Sequence, residues 1–145
     1  MKILISTLLS LAACGPGDGG EPTPTETVCP SPDPNTLTYE NFGRPFMEKY
    51  CTQCHASTLP RSMRNGAPLF HDFDSLLGVL QVANHIDEQA GHGPNAENSF
   101  MPPARCPAEP GEAPTTDCMK PSAEERRNLA LWLACEVDRP RAVRR

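Results

Sequence analysis

Apolar side chains recur at helical spacing in three segments of the chain, the first of which ends at Tyr50. Phe42, Phe46 and Tyr50 are each four residues apart, so they share one face of a helix over residues 38–50. Pro45 lies inside this segment, and proline is accepted in the first turn of a helix but not in its interior. The pattern therefore predicts a helix that begins either near residue 38 or at Pro45.

The second segment follows Asp72 and Asp74, either of which can cap the first turn of a helix. Its apolar stripe consists of Leu76, Leu77, Leu80 and then Ala83 or Asn84. This pattern predicts a second helix that begins at one of the two aspartates.

The third segment carries the clearest helix signal. Ser122 and Glu125 form a capping box directly after Pro121. The apolar residues that follow at helical spacing are Leu129, Trp132 and Leu133. We therefore expect an amphipathic last helix, with Trp132 packed in the core.

The rest of the chain is polar and rich in proline and glycine. Residues 14–35 have almost nothing apolar to bury, which predicts an extended tether. Residues 89–120 predict a long irregular loop. One mainly α domain remains over residues 36–138, which is small for a self-sufficient core, and residues 139–145 are expected to form a solvated basic tail.

The first residues have the features of a bacterial lipoprotein signal peptide over residues 1–13. Lys2 precedes an apolar run over residues 3–11 that is too short to span a bilayer as a helix. Leu11-Ala12-Ala13-Cys14 matches a lipobox, which predicts that Cys14 is lipidated and anchors the protein in the bacterial cell envelope, facing the periplasm or on the outer membrane. The alternative is an ordinary secretory signal peptide followed by an incidental cysteine.

The segment Cys51-Thr52-Gln53-Cys54-His55 carries the strongest chemical signal. Two thiols three positions apart lie on one side of a helical turn, where each can form a thioether to a vinyl group of haem. His55 follows directly and can then ligate the iron from the proximal side. The pattern predicts a covalently attached haem c.

Three other interpretations compete for Cys51 and Cys54. A dithiol redox centre of the thioredoxin kind needs a preceding buried strand, but the upstream sequence is helix-like. A zinc site needs a second ligand pair, and no second Cys-x-x-Cys or His-x-His follows. The third alternative is a pair of ordinary disulfide cysteines in a secreted fold.

Four cysteines remain for disulfides in an oxidising compartment: Cys29, Cys106, Cys118 and Cys135. Four cysteines allow three pairings. We favour Cys106–Cys118, because it closes a loop of about 13 residues and is worth roughly 3 kcal/mol in the chain-entropy model. That choice leaves Cys29–Cys135.

A haem iron held by His55 needs a sixth ligand, and Met101 is the predicted one. It lies in the long loop, where the flanking prolines stiffen the backbone and prevent a helix. Met47 is expected in the core, and Met63 is too close to the motif to reach the opposite side. The rivals of Met101 are Met119, His85 and His92.

Four features follow one another along the chain: a helix, Cys-x-x-Cys-His, a loop with Met101-Pro102-Pro103, and a last helix with Trp132. In this combination the chain resembles the class I monohaem cytochromes c. The resemblance covers residues 38–136, and the opening segment is similar to that of a lipoprotein member. It implies a small helical domain wrapped around the haem, here with a long disulfide-closed loop. The first and last helices of that family cross beside the haem, which suits a Cys29–Cys135 tie. The proline- and cysteine-rich insertion after Met101 departs from the family pattern.

The resemblance also implies that a loop proline after the motif offers its carbonyl to the second ring nitrogen of His55. Pro68 is the best match, and Pro60 is the alternative. Arg61 or Arg64 can pair with a haem propionate or can be an ordinary solvated loop arginine.

The predicted function is electron transfer, because an iron with His and Met ligands has no position left for a substrate. The chain is accordingly not expected to be an enzyme. Its formal net charge of −5 argues against nucleic acid as a partner, so redox proteins of the cell envelope and the membrane anchor remain. The alternatives are a haem peroxidase or gas sensor with a labile sixth ligand, and a structural lipoprotein without cofactor.

Overall fold

The computed structural model describes residues 26–33, 36–91 and 98–142. Its elements in chain order are a π-helix Tyr39–Gly43, α1 Arg44–Tyr50, a 3-10 helix Arg61–Met63, α2 Leu76–Gln81, α3 Ala83–Ala90, β1 Arg105–Pro107, β2 Pro114–Asp117 and α4 Ala123–Ala142. Helices dominate and the two strands form one small sheet, so the mainly α class is confirmed. Within the described ranges, no helix has the length and apolarity needed to cross a bilayer.

The helix predicted over residues 38–50 is confirmed as two consecutive helical pieces. Thr38 caps it, since its hydroxyl accepts the N–H of Asn41 at 3.1 Å and its own N–H donates to the Asn41 side chain at 2.7 Å. Pro45 has no N–H that could donate a backbone hydrogen bond within an α-helix. Directly before it, the π-helix Tyr39–Gly43 ends and α1 begins. The chain is therefore helical from its cap onward, with Pro45 in the first turn of α1.

The core forms where α4 packs against α2 and α3, with α1 completing the group. Its buried apolar members are Phe46, Met47, Tyr50, Phe73, Val79, Ala83, Ile86, Ala90, Leu129, Trp132, Leu133 and Val137. As predicted, Trp132 lies in this core, where its ring stacks with Tyr39 at a centroid distance of 6.4 Å and meets Phe42 edge-on at 6.1 Å. The indole N–H donates to Glu136 Oε1 at 3.3 Å, so the polar atom of the buried ring has a partner.

Gly43 allows the first helical segment to approach α4 closely. A Cβ atom built at this position would lie 2.3 Å from Cζ2 of Trp132. Because Trp132 is fully buried, the ring has no free space into which it can move. The crossing of the two segments therefore depends on the missing side chain of Gly43.

Replacing Gly43 with alanine is expected to lower the free energy of unfolding by about 1–3 kcal/mol, because the added methyl group forces the ring or the backbone to shift. Chemical denaturation measures the change, with Glu48→Ala on the exposed face of α1 as the control. Equal midpoints for Gly43→Ala and the wild type would contradict the close approach.

The prediction that Asp72 or Asp74 starts the second helix was wrong. Ser75 is the N-cap of α2. The Asp72 carboxylate instead accepts a hydrogen bond from Arg64 at 2.7 Å, and the Asp74 carboxylate accepts the N–H and the hydroxyl of Ser57 at 3.0 and 2.7 Å. Both aspartates therefore bind residues of the preceding loop. Hydrogen bonds of this kind leave no periodic pattern in the sequence.

The predicted apolar stripe is divided between two helices. Leu76 and Leu80 pack against the core from α2, and Ala83 is buried in α3. Leu77, however, is 70% exposed. Val82 separates the two helices with a backbone conformation outside the helical region, at φ −132° and ψ 28°.

The segment over residues 89–120, predicted as an irregular loop, contains the antiparallel hairpin of β1 and β2. The predicted Cys106–Cys118 disulfide closes this hairpin and is confirmed. The predicted Cys29–Cys135 disulfide is also confirmed and ties the N-terminal segment to α4. The strands escaped prediction because β2 is exposed throughout, so no alternation of apolar and polar residues marks it.

Helix α4 extends to Ala142, beyond the predicted domain end at residue 138. Arg139 lies in this extension and is not the solvated tail residue that was expected. Its Nη2 donates to the carbonyl of Leu37 at 3.1 Å and lies 3.8 Å from the carboxylate of Asp33. The C-terminal part of α4 therefore binds the N-terminal residues of the domain through Arg139.

Several predictions concern residues outside the described ranges. These are the signal peptide over residues 1–13, the lipidation of Cys14, most of the tether over residues 14–35, the rival ligand His92, and the last arginines of the basic tail.

Candidate cofactor site

A cavity of about 500 Å³ lies beside the Cys-x-x-Cys-His segment. It is lined by all the residues that the sequence predicts to hold a cofactor, namely Cys51, Cys54, His55, Pro68 and Met101. Apolar core residues form much of the remaining wall, among them Phe46, Tyr50, Ile86 and Ala90. A volume of this size with a mainly apolar lining is typical of a cofactor site.

The Cys-x-x-Cys-His segment continues the path of α1 as a hydrogen-bonded turn. The N–H groups of Cys54 and His55 donate to the carbonyl of Cys51 at 3.1 and 3.0 Å, and the N–H of Cys51 donates to Met47 at 2.8 Å. Residues three and four positions apart on such a turn lie on the same side. The local hydrogen bonds thus bring the two thiols and the imidazole to one wall of the cavity.

Cys51 and Cys54 are free thiols, whereas the other four described cysteines are paired. Burial raises the pKa of Cys51 to about 12 and also raises the pKa of Cys54. The thiolate is the reactive form in thiol–disulfide exchange, so these pKa values disfavour a dithiol redox centre.

A zinc site at the motif finds no support in the described part of the chain. The group of three potential ligands found there is Cys29, Asp33 and Cys135, and its two cysteines form a disulfide. Cys51 and Cys54 have no third and fourth ligand grouped with them among those residues.

His55 is held in one tautomer by its surroundings. Its Nδ1 lies 3.2 Å from the carbonyl oxygen of His71, and its ring stacks on Phe73 at a centroid distance of 4.5 Å. Burial lowers the pKa of His55 to about 4, so the ring is neutral at pH 7. Because a carbonyl can only accept, Nδ1 carries the proton and donates it, which leaves the lone pair of Nε2 free for a metal ion.

The acceptor for His55 is therefore His71, and the role predicted for the carbonyl of Pro68 was wrong. That carbonyl accepts a hydrogen bond from Arg64 instead, at 2.8 Å. The acceptor still lies in the loop after the motif, but it is His71 and not Pro68. Pro68 nevertheless lines the cavity.

Arg64 organises the loop that follows the motif, a role that the sequence did not reveal. Only 1% of its surface is exposed, so the expectation of a solvated arginine was wrong for this residue. Its Nη1 donates to the carbonyl of Ala56 at 2.8 Å and to Asp72 at 2.7 Å, and its Nη2 donates to the carbonyls of Pro68 and His71 at 2.8 and 2.9 Å. The His71 carbonyl that orients His55 is thus itself fixed by a guanidinium.

Replacing Arg64 with methionine is expected to destabilise the protein by about 3 kcal/mol or more, because several buried acceptors lose their donor at once. Arg61→Met is the matched control, since Arg61 is an exposed arginine of the same loop and should change stability by less than about 0.5 kcal/mol. Denaturant titration compares the two variants. Similar midpoints would show that Arg64 does not organise the loop.

Met101 lies on a loop that is separate from the Cys-x-x-Cys-His segment and reaches the same cavity. We call residues 98–103 the Met101 segment. The N–H of Met101 donates to the carbonyl of Gln89 at the end of α3, at 2.8 Å. Nη1 of Arg126, in α4, lies 3.1 Å from the carbonyl oxygen of Met101. Two helices thus fix the position of Met101, whose side chain remains 40% exposed at the mouth of the cavity.

The other candidate ligands are less well placed. Met119 is 61% exposed and does not belong to the residues that line the cavity. Met47 is fully buried in the core, as predicted, and Met63 packs against Gly111 of the hairpin turn. His85 does line the cavity and therefore remains a rival of Met101.

The hairpin also touches the motif directly. The side-chain amide of Gln53, the third residue of the motif, donates to the carbonyl of Pro107 in β1. The insertion after Met101 therefore contacts the Cys-x-x-Cys-His segment and forms part of the cavity region. No protein-family model, curated protein or solved structure matches the chain.

Proposed function

We propose that the cavity holds a c-type haem attached to Cys51 and Cys54, with His55 and Met101 as the protein ligands of the iron, and that the protein transfers electrons. The observation that carries this proposal is the convergence of these four side chains on one cavity of about 500 Å³. Cys51, Cys54 and His55 are neighbours in the sequence, but Met101 reaches the cavity from a separate loop. The Cys-x-x-Cys-His motif does not require Met101 to reach this cavity, so the position of Met101 is independent support for the proposal.

Each residue has a defined part in this proposal. Cys51 and Cys54 would hold the haem covalently, each through a thioether formed when its S–H adds across one vinyl group with no atom lost. His55 offers Nε2, since Nδ1 is occupied by its bond to the carbonyl of His71. Met101 offers its thioether sulfur.

A bound haem with these ligands supplies a reversible one-electron change at iron. The apolar wall would keep water away from the cofactor, and His55 and Met101 together would leave no iron position for a substrate. On this proposal the chain makes and breaks no bonds of a substrate and is not an enzyme.

The proposed location is the bacterial cell envelope, with the protein anchored through lipid on Cys14. The two disulfides, Cys29–Cys135 and Cys106–Cys118, support an oxidising compartment. Redox proteins of the envelope are the proposed partners, and the formal net charge of −5 disfavours nucleic acid.

Carbon monoxide distinguishes this proposal from a haem peroxidase or a gas sensor. The reduced protein at neutral pH is expected to bind no carbon monoxide and to give one reversible one-electron wave in a redox titration. The Met101→Ala variant serves as the positive control for binding. Immediate binding by the wild type would overturn the electron-transfer function in favour of an open sixth site.

A further inference from the structure

Two cations outside the cavity hold the backbone of the Met101 segment, residues 98–103. Nη1 of Arg126 lies 2.7 Å from the carbonyl oxygen of Asn98 and 3.1 Å from that of Met101, and it also contacts the carbonyl of Ala90 at 2.7 Å. Nζ of Lys120 donates to the carbonyls of Pro102 and Pro103, the latter at 2.7 Å. Four of the six carbonyls in the segment thus accept from a charged donor.

The segment needs these partners because it cannot stabilise itself. It forms neither helix nor strand, and Pro102 and Pro103 have no N–H to donate. Its backbone bonds to the rest of the fold include those from Asn98 to Gly91 at 3.0 Å and from Met101 to Gln89 at 2.8 Å. Without Arg126 and Lys120, these carbonyls would have to be satisfied by water, and the segment would lose its ties to α4 and to the hairpin.

The cations themselves are firmly positioned. Arg126 is only 2% exposed and lies on the buried side of α4. Lys120 is placed by the hairpin, since it follows Cys118, whose disulfide to Cys106 closes the two strands. Partial desolvation, and secondly the positive charge of Arg126, lower the pKa of Lys120.

We propose that Arg126 and Lys120 are positioning residues that keep the sulfur of Met101 at the sixth position of the haem and so exclude external ligands from the iron. This inference rests on the proposed function. It also assigns a role to the disulfide-closed insertion, which carries Lys120 to the Met101 segment. Neither side chain lines the cavity, so both act through the backbone of the Met101 segment.

Imidazole titration of the oxidised holoprotein tests this inference, with the weak sulfur-to-iron absorption band as the signal for bound Met101. Lys120→Met is expected to lower the imidazole concentration at half-displacement by roughly tenfold, because two charge-assisted hydrogen bonds are lost. Arg126→Met is expected to lower it further, and Arg126→Lys to fall between Arg126→Met and the wild type. Arg105→Met, which removes an exposed hairpin cation paired with Asp117, is the control and should leave the midpoint unchanged.

The outcomes separate this inference from the proposed function. Bound haem with an intact sulfur band and midpoints within twofold of the wild type in both Lys120→Met and Arg126→Met would overturn the positioning role alone. A wild-type protein without haem would overturn the proposed function together with this inference. If Arg126→Met fails to fold, Lys120→Met decides the question, because Lys120 lies on the surface and its removal leaves no buried charge.

Discussion

The double variant Cys51→Ser/Cys54→Ser is expected to carry no covalent haem and to lose most of its helical structure. The cavity of about 500 Å³ lies against the core, with Phe46, Tyr50 and Ile86 in both. Without haem these core residues lose the apolar contacts on one side, a loss on the order of several kcal/mol. The whole stability of a domain is roughly 5–15 kcal/mol, so the domain without haem is not expected to stay folded.

A haem stain on a denaturing gel and circular dichroism during urea titration measure the two effects. The control is Cys106→Ser/Cys118→Ser, which removes two sulfurs and a disulfide worth roughly 3 kcal/mol but leaves the attachment site intact. That control should retain its haem. Cooperative unfolding and native helicity in a haem-free Cys51→Ser/Cys54→Ser protein would contradict the account.

Replacing Met101 with alanine is expected to lower the reduction potential by on the order of 100 mV, since axial ligands set haem potentials over a span of about 0.8 V. The sulfur-to-iron absorption band should disappear, and the reduced protein should bind carbon monoxide. The helices should be unaffected, because the side chain of Met101 lies at the cavity mouth and not in the core.

Met119→Ala is the matched control for Met101→Ala, since it removes an exposed methionine that does not line the cavity. It should leave potential and spectrum unchanged. An unchanged spectrum in Met101→Ala would transfer the sixth-ligand role to another residue, with His85→Ala as the next variant to measure.

The features that were predicted from the sequence are those with local causes. Thr38 and Ser122 cap their helices through bonds three residues away, so the capping pattern can be read from the chain. Trp132 follows the apolar spacing of α4 into the core. The two disulfides followed from counting cysteines and from the short loop between Cys106 and Cys118.

The features that were missed depend on how the irregular loop after the motif folds. Arg64 stands among polar and proline-rich neighbours and becomes buried only because its loop folds around the guanidinium. The acceptor for His55 is a backbone carbonyl 16 residues along the chain in this loop, which no periodicity encodes.

The position of Arg126 in the sequence does indicate its role. It is three residues before Leu129 and seven before Leu133, so it lies on the buried stripe of α4. A cation on an apolar stripe needs acceptors in the interior. The carbonyls of the Met101 segment are those acceptors.

The mass of one tryptic peptide tests the central claim most directly. Cleavage after Lys49 and after Arg61 releases residues 50–61, which contain Cys51, Cys54 and His55. Because thioether formation loses no atoms, the peptide from the protein made in a host with a haem-attachment pathway should be heavier by the full mass of one haem. Recovery of the same peptide with two thiols that both react with an alkylating reagent would contradict the account.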